Sequence, residues 1–109
     1  MIRKIGAYLG FCIRSGKIVY GVDEIEKQKK AALILIDEEL GESSKKSVVK
    51  AKEKFAAPLL VVTGGVLGEL LHKPAVKAVA IKEKNLASAI LSAAEGSDKF
   101  KSMSSGGND

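Results

Sequence analysis

Three short apolar runs limit how this chain can fold: "AALILI" at 31–36, "PLLVVT" at 58–63 and "VKAVAI" at 76–81. Each has strand length, and the first carries no polar residue. A strand wetted on one side alternates apolar and polar residues, whereas a continuous apolar run needs cover on both faces. The intervening segments supply that cover. Ile2, Ile5, Leu9, Cys12 and Ile13 recur at helical spacing and predict a helix over about 2–14, ended by Ser15-Gly16. "KIVY" (17–20) reads as a short strand, and about 22–29 as a helix with Val22 and Ile25 inward. "DEELGESS" is a polar loop in which Ser43 or Ser44 can cap the next helix, about 44–56, which buries Val48, Val49 and Phe55. A short helix over about 65–72 stops at Pro74, and "EKNLASAILSAAE" (83–95) is a last amphipathic helix. Helices alternating with buried strands predict an α/β fold. Its form is a three-layer α/β/α sandwich, with a four-stranded mixed sheet and helices on both faces.

The chain has 109 residues, enough for one compact domain, and 46% are hydrophobic, enough for a core without disulfide or metal. That domain is expected over 1–95. From Gly96 onward only Phe100 and Met103 offer apolar anchors, which predicts a disordered tail over 96–109. The net charge is +5. Lys99 and Lys101 balance Asp98 and Asp109, so the excess sits in the folded part and favours a polyanionic partner. Cys12 is the single cysteine, which excludes an internal disulfide and fits a reducing cytoplasm. No apolar run approaches the roughly 20 residues needed to span a bilayer, so no membrane partner is expected.

Catalytic chemistry finds few candidates. His72, the only histidine, lies at a helix end before Lys73-Pro74, where a cationic side chain favours the dipole. Cys12 falls on the apolar stripe of the first helix, where packing accounts for it. Asp37-Glu38-Glu39 reads as a solvated acidic loop, and without a Cys/His cluster no metal is expected. "TGGVLG" has neither of the glycine spacings that cradle phosphates, so no nucleotide cofactor is expected. The residues argue for a protein that is not an enzyme.

The remaining features gather at strand-to-helix turns, the usual binding edge of such a sheet. Three turns stand out: Tyr20 to Glu24, Asp37 to Lys46, and Thr63-Gly64-Gly65-Val66-Leu67-Gly68. In the first, Asp23 and Glu24 follow Gly21, and Lys27 sits one helical turn on. Two readings are open. Acids in a first turn stabilise a helix by up to about 1 kcal/mol each, and Lys27 would pair with Asp23 at i,i+4. Alternatively, a carboxylate accepts from the N–H groups of guanine and a lysine donates to guanine or to phosphate. Exposed base edges of that kind point to structured RNA rather than to DNA.

"SGKIVYGVDEIEK", "ALILIDEELGESSKK" and "PLLVVTGGVLGELL", in this order and spacing, resemble the L-seven-Ae ribosomal-protein family. The similarity covers about residues 2–95 and lies nearest the bacterial branch of small, stand-alone, ribosome-associated members. The resemblance implies an α/β/α sandwich, no catalysis, and binding to kink-turn RNA, an internal loop built on sheared G·A pairs. It assigns base reading to Gly21, Glu24 and Lys27, with Val22 and Asp23 in the same RNA-binding turn. The family's second element, a loop that covers an unstacked nucleotide, matches "TGGVLG"; on this reading Gly64, Gly65 and Val66 form the cover, Thr63 belongs to the same RNA-binding loop, and Lys45 and Lys46 contact phosphate. Asp23 stands where the family has asparagine, whose N–H donor aspartate lacks. The same fold also serves as a protein-interaction module in other branches, and the Gly64-Gly65 turn could instead hold a small molecule or nucleotide. A monomer is expected.

Overall fold

The computed structural model describes residues 2–103. Its elements run α1 (Ile2–Arg14), β1 (Ile18–Tyr20), α2 (Val22–Lys27), β2 (Leu33–Asp37), α3 (Glu42–Phe55), β3 (Leu59–Val62), α4 (Val66–Leu71), β4 (Ala78–Ile81), α5 (Lys84–Ala94) and β5 (Phe100–Met103). The strands form one mixed sheet in the order β1-β4-β2-β3-β5. Only β2 and β3 are parallel; β4 runs antiparallel to both β1 and β2, and β5 antiparallel to β3.

The two-residue period of each strand divides the core. Leu33, Leu35, Leu60, Val62, Val79 and Ile81 point to one face, where α1, α4 and α5 pack. Ile34, Ile36, Leu59, Ala78 and Ala80 point to the other, against Ile25 of α2 and Val48 and Ala51 of α3. Every residue of β2 and β4 is buried, as their unbroken apolar runs require. The expected three-layer sandwich is therefore the observed one. No helix of the described residues is long and apolar enough to cross a membrane.

The sheet has five strands rather than four, and the fifth comes from the expected tail. Phe100 pairs with Val62 and is 5% exposed, while Lys101 pairs with Val61 and Lys101 and Ser102 face solvent. An edge strand needs little apolar surface, because its neighbour supplies the ladder hydrogen bonds. One buried aromatic then holds the segment, and a lysine on the edge discourages further pairing. The rest of the expected tail, 104–109, lies outside the described residues. The start of α3 also differs: Gly41 is its N-cap with no side-chain cap bond, so Ser43 and Ser44 fall inside the helix. At α5, by contrast, Glu83 accepts from Leu86 N at 2.7 Å and Asn85 N at 3.0 Å.

Cys12 sits in the α1 side of the core, fully buried. Burial, helped by the nearby charge of Glu83, pushes its thiol up to about 11. Thiolate is the reactive form, so about one thiol in a thousand is reactive at pH 8. Alkylation by iodoacetamide at that pH is expected to be negligible in the native protein and fast in denaturant, as read by mass spectrometry. Phe100→Ala is expected to destabilise the domain by about 3 kcal/mol, seen as a lowered midpoint in urea. An unchanged midpoint would mean that β5 contributes nothing to the fold.

Candidate functional site

The ladder registers bring the carboxyl ends of β1, β2 and β3 and the amino end of β4 to one edge of the sheet. The loops that leave these ends are built differently.

At the β1 end, Gly21 caps α2 with φ 88 and donates its N–H to Ala78 O at 2.8 Å. A Cβ there would meet nothing within 4 Å, so the left-handed φ, not space, calls for glycine. The turn leaves Asp23 and Glu24 exposed in the first turn of α2 and tucks Val22 half-buried against the core. Lys27 Nζ bonds Glu24 Oε2 at 3.3 Å, not Asp23 as expected. The two side chains are 71% and 55% exposed, so this pair contributes little to stability. Asp23 has no ion-pair partner among the described residues.

At the β2 end the acidic loop is not simply solvated. Asp37 is wholly buried, and its carboxylate accepts from Glu39 N at 2.7 Å and from Gly65 N at 2.8 Å. Glu38 accepts from Gly64 N at 2.7 Å. Lys77 Nζ stands 3.9 Å from Asp37 and 3.7 Å from Glu39. The acids occupy the N–H groups that a glycine turn at the end of β3 would otherwise offer to a ligand. Gly65 has φ 84, and a Cβ on Gly64 would lie 2.8 Å from Glu39 Oε2. Thr63 is held by the segment before β5, donating its N–H to Lys99 O at 2.9 Å and its hydroxyl at 3.3 Å. Val66 packs half-buried against the core. This turn is a brace.

The turn is also remote from Gly21. β4 and β2 lie between β1 and β3, which puts the two strand ends roughly 14 Å apart at the usual strand spacing. What lies beside Gly21 is the segment from α4 to β4, residues 72–77, which carried no functional reading in the sequence. His72 ends α4 in a left-handed conformation, φ 58. Pro74 then turns back so close to Gly68 that a Cβ there would lie 2.9 Å from Pro74 Cα. Lys73 Nζ stands 5.5 Å from the Tyr20 ring centroid, and burial raises the Tyr20 phenol above its ordinary value. Asp37 N donates to Lys77 O at 2.8 Å, which fixes the segment to β2. Between this segment and the Gly21 turn lies a cleft of about 300 Å³, walled by Tyr20, Val22, Leu40, Val76 and Ala78. The sequence signal for it was Pro74 between lysines at a strand entry. Lys45 and Lys46, in the first turns of α3 on the same edge, are half-buried and exposed.

Fold and edge together define an α/β/α sandwich with a loop-built cleft at one end of its sheet. No protein-family model and no curated protein matches the chain. Among solved structures, a protein of unknown function from Bacillus halodurans superposes with a TM-score of 0.72 at 18% identity. The match covers 82% of this chain and 94% of that one. At this identity the likeness concerns the fold alone.

Asp37→Ala would leave the Glu39 and Gly65 N–H groups without their acceptor. It is expected to lower stability by about 1–3 kcal/mol, whereas Glu39→Ala, which loses only an exposed ion pair, should cost under about 1 kcal/mol. Urea melts of the two variants check this, and equal losses would remove the bracing role from Asp37.

Proposed function

We propose that this chain is a non-enzymatic binder of structured RNA, a cytoplasmic, ribosome-associated protein that recognises a kink-turn-like internal loop as a monomer. The observation that carries the reading is the Gly21 turn. It presents Asp23, Glu24 and the Glu24-paired Lys27 beside an apolar cleft whose volume suits one unstacked base. Glu24 would accept from guanine N–H groups, Lys27 and Lys73 would meet phosphate or guanine O6, and Tyr20, Val22 and Val76 would cover the base. The cover assigned above to Gly64, Gly65 and Val66 passes in this reading to residues 73–77, because the glycine turn is engaged by Asp37 and Glu38. The same engagement disfavours a nucleotide held at Gly64-Gly65. Lys45 and Lys46 remain candidates for outer phosphate contacts.

Asp23 is the point of leverage, because an acceptor stands where guanine O6 needs a donor. Asp23→Asn keeps size and shape and supplies that donor. One good side-chain-to-base pair is worth about 1–3 kcal/mol, so affinity for a kink-turn RNA should rise roughly tenfold or more, and Glu24→Ala should lower it by a similar factor. The measurement is a titration of wild type and both variants against a kink-turn RNA and a control lacking the G·A pairs. Equal affinities for both RNAs in all three proteins would overturn the reading and leave a protein-interaction module as the better account of this mixed-charge edge.

A further inference from the structure

Charge of both signs meets at the edge just described. Asp23, Glu24, Asp37, Glu38, Glu39 and Glu42 crowd that edge and offset its lysines. The opposite edge of the sheet is different. There the chain enters β2 through Lys30-Ala31-Ala32, enters β3 through Ala56-Ala57-Pro58, and leaves β4 through Lys82-Glu83-Lys84. Ala32 N donates to Ile81 O at 2.8 Å and Ile34 N to Pro58 O at 3.0 Å, so the three segments are held side by side. They enclose a second cleft of about 370 Å³, with an apolar wall of Ala31, Ala32, Phe55, Ala56 and Ala57 and a rim of Lys30, Lys82 and Lys84.

The rim charges are uncompensated. All three lysines are exposed, none has an ion pair among the described residues, and no carboxylate lines the cleft. Glu83, between two of them in sequence, is turned to the α5 N-terminus, where two backbone N–H bonds hold its carboxyl below the usual value. Glu53 lines the neighbouring hollow instead, with Lys52. Lys54 lines a separate hollow with Glu26, Ser47 and Lys50; its ammonium donates to the carbonyl of Glu26 at 3.0 Å and stands 5.1 Å from the Phe55 ring centroid.

We propose that this basic cleft is a second binding surface, for a single-stranded nucleic-acid segment. Lys30, Lys82 and Lys84 contact successive phosphates, and one base lies on the apolar wall beside Phe55. Lysines around an apolar, aromatic-walled hollow are the general means of holding an unpaired strand without reading its sequence. The site is independent of base reading at Gly21: it needs no G·A pair and lies at the other end of the sheet.

Salt dependence tests it. Each lysine-to-phosphate contact on a single strand contributes about 0.7 to the slope of log affinity against log salt. Lys30→Gln/Lys82→Gln/Lys84→Gln is therefore expected to flatten that slope by about 2, with oligouridylate of about 12 nucleotides as the probe. A control, Lys4→Gln/Lys99→Gln/Lys101→Gln, removes the same charge elsewhere and should leave the slope nearly unchanged. Oligouridylate has no G·A pair, which separates this measurement from the kink-turn reading. Oligothymidylate in a parallel titration distinguishes RNA from DNA as the source of the strand. Amide-shift mapping on the wild type, free of any folding concern, should place the perturbed residues at 30–32, 55–57 and 82–84. Equal slopes for the two triple variants, or shifts confined to the Gly21 edge, would overturn the proposal. So would lysine-dependent binding to phosphatidylserine vesicles with none to either oligonucleotide, which would assign the cleft to an anionic lipid surface.

Discussion

Asp37 is the group around which one end of this molecule is arranged. A carboxylate removed from water at the end of a central strand carries a desolvation penalty of several kcal/mol. It is tolerated only where hydrogen-bond donors converge on it, and here the donors are backbone. One is its own loop, at Glu39, and the other is the turn that opens α4, at Gly65. The amide of Asp37 in turn bonds Lys77 O, at the entry to β4. Three connections that are far apart in sequence are thereby set relative to one another. The cleft beside Gly21 inherits its shape from that arrangement, because residues 72–77 form one of its walls.

The two ends of the sheet divide the chain's electrostatics between them. Acids gather where loops must be braced, and there they satisfy backbone donors or a helix start. At the opposite end Lys30, Lys82 and Lys84, none of them ion-paired among the described residues, surround Phe55 and the alanines. A net charge is a property of the whole chain, but its effect on a partner depends on where the unpaired part of it is presented. The edge from which β2 and β3 depart is one such place, with no acid lining its cleft.

Local backbone conformations also mark where the chain must turn sharply. Gly21 and Gly65 hold positive φ at the starts of α2 and α4. Ala56 and His72 hold it at the ends of α3 and α4, where each returns its N–H to carbonyls of the preceding turn. For a residue with a Cβ this conformation costs about 1–2 kcal/mol. The cap bonds and the packing beyond the helix ends offset that cost. Both non-glycine cases lead directly into cleft-forming segments, Ala56 into the basic cleft and His72 into the wall beside Tyr20.

The order of elements, the two-sided burial of β2 and β4 and the interior place of Cys12 were legible in the sequence, because they follow from period and composition within single segments. So was the turn at Gly21, with Val22 inward and Asp23 and Glu24 at the start of α2, though Lys27 pairs with Glu24 and not with Asp23. Phe100 could not be read the same way: its strand is stabilised by the free edge of β3, which no local pattern records. Nor could Asp37, since an acid beside two other acids looks solvated until the turn that needs its oxygens is brought to it. The separation of the two glycine turns, and the insertion of residues 72–77 between them, were decided by β4 running antiparallel between β1 and β2. Sequence determines what each segment can bury and where it can bend. Which segments meet at an edge depends on strand order, and strand order is set by the packing of the whole sheet between its two helical layers.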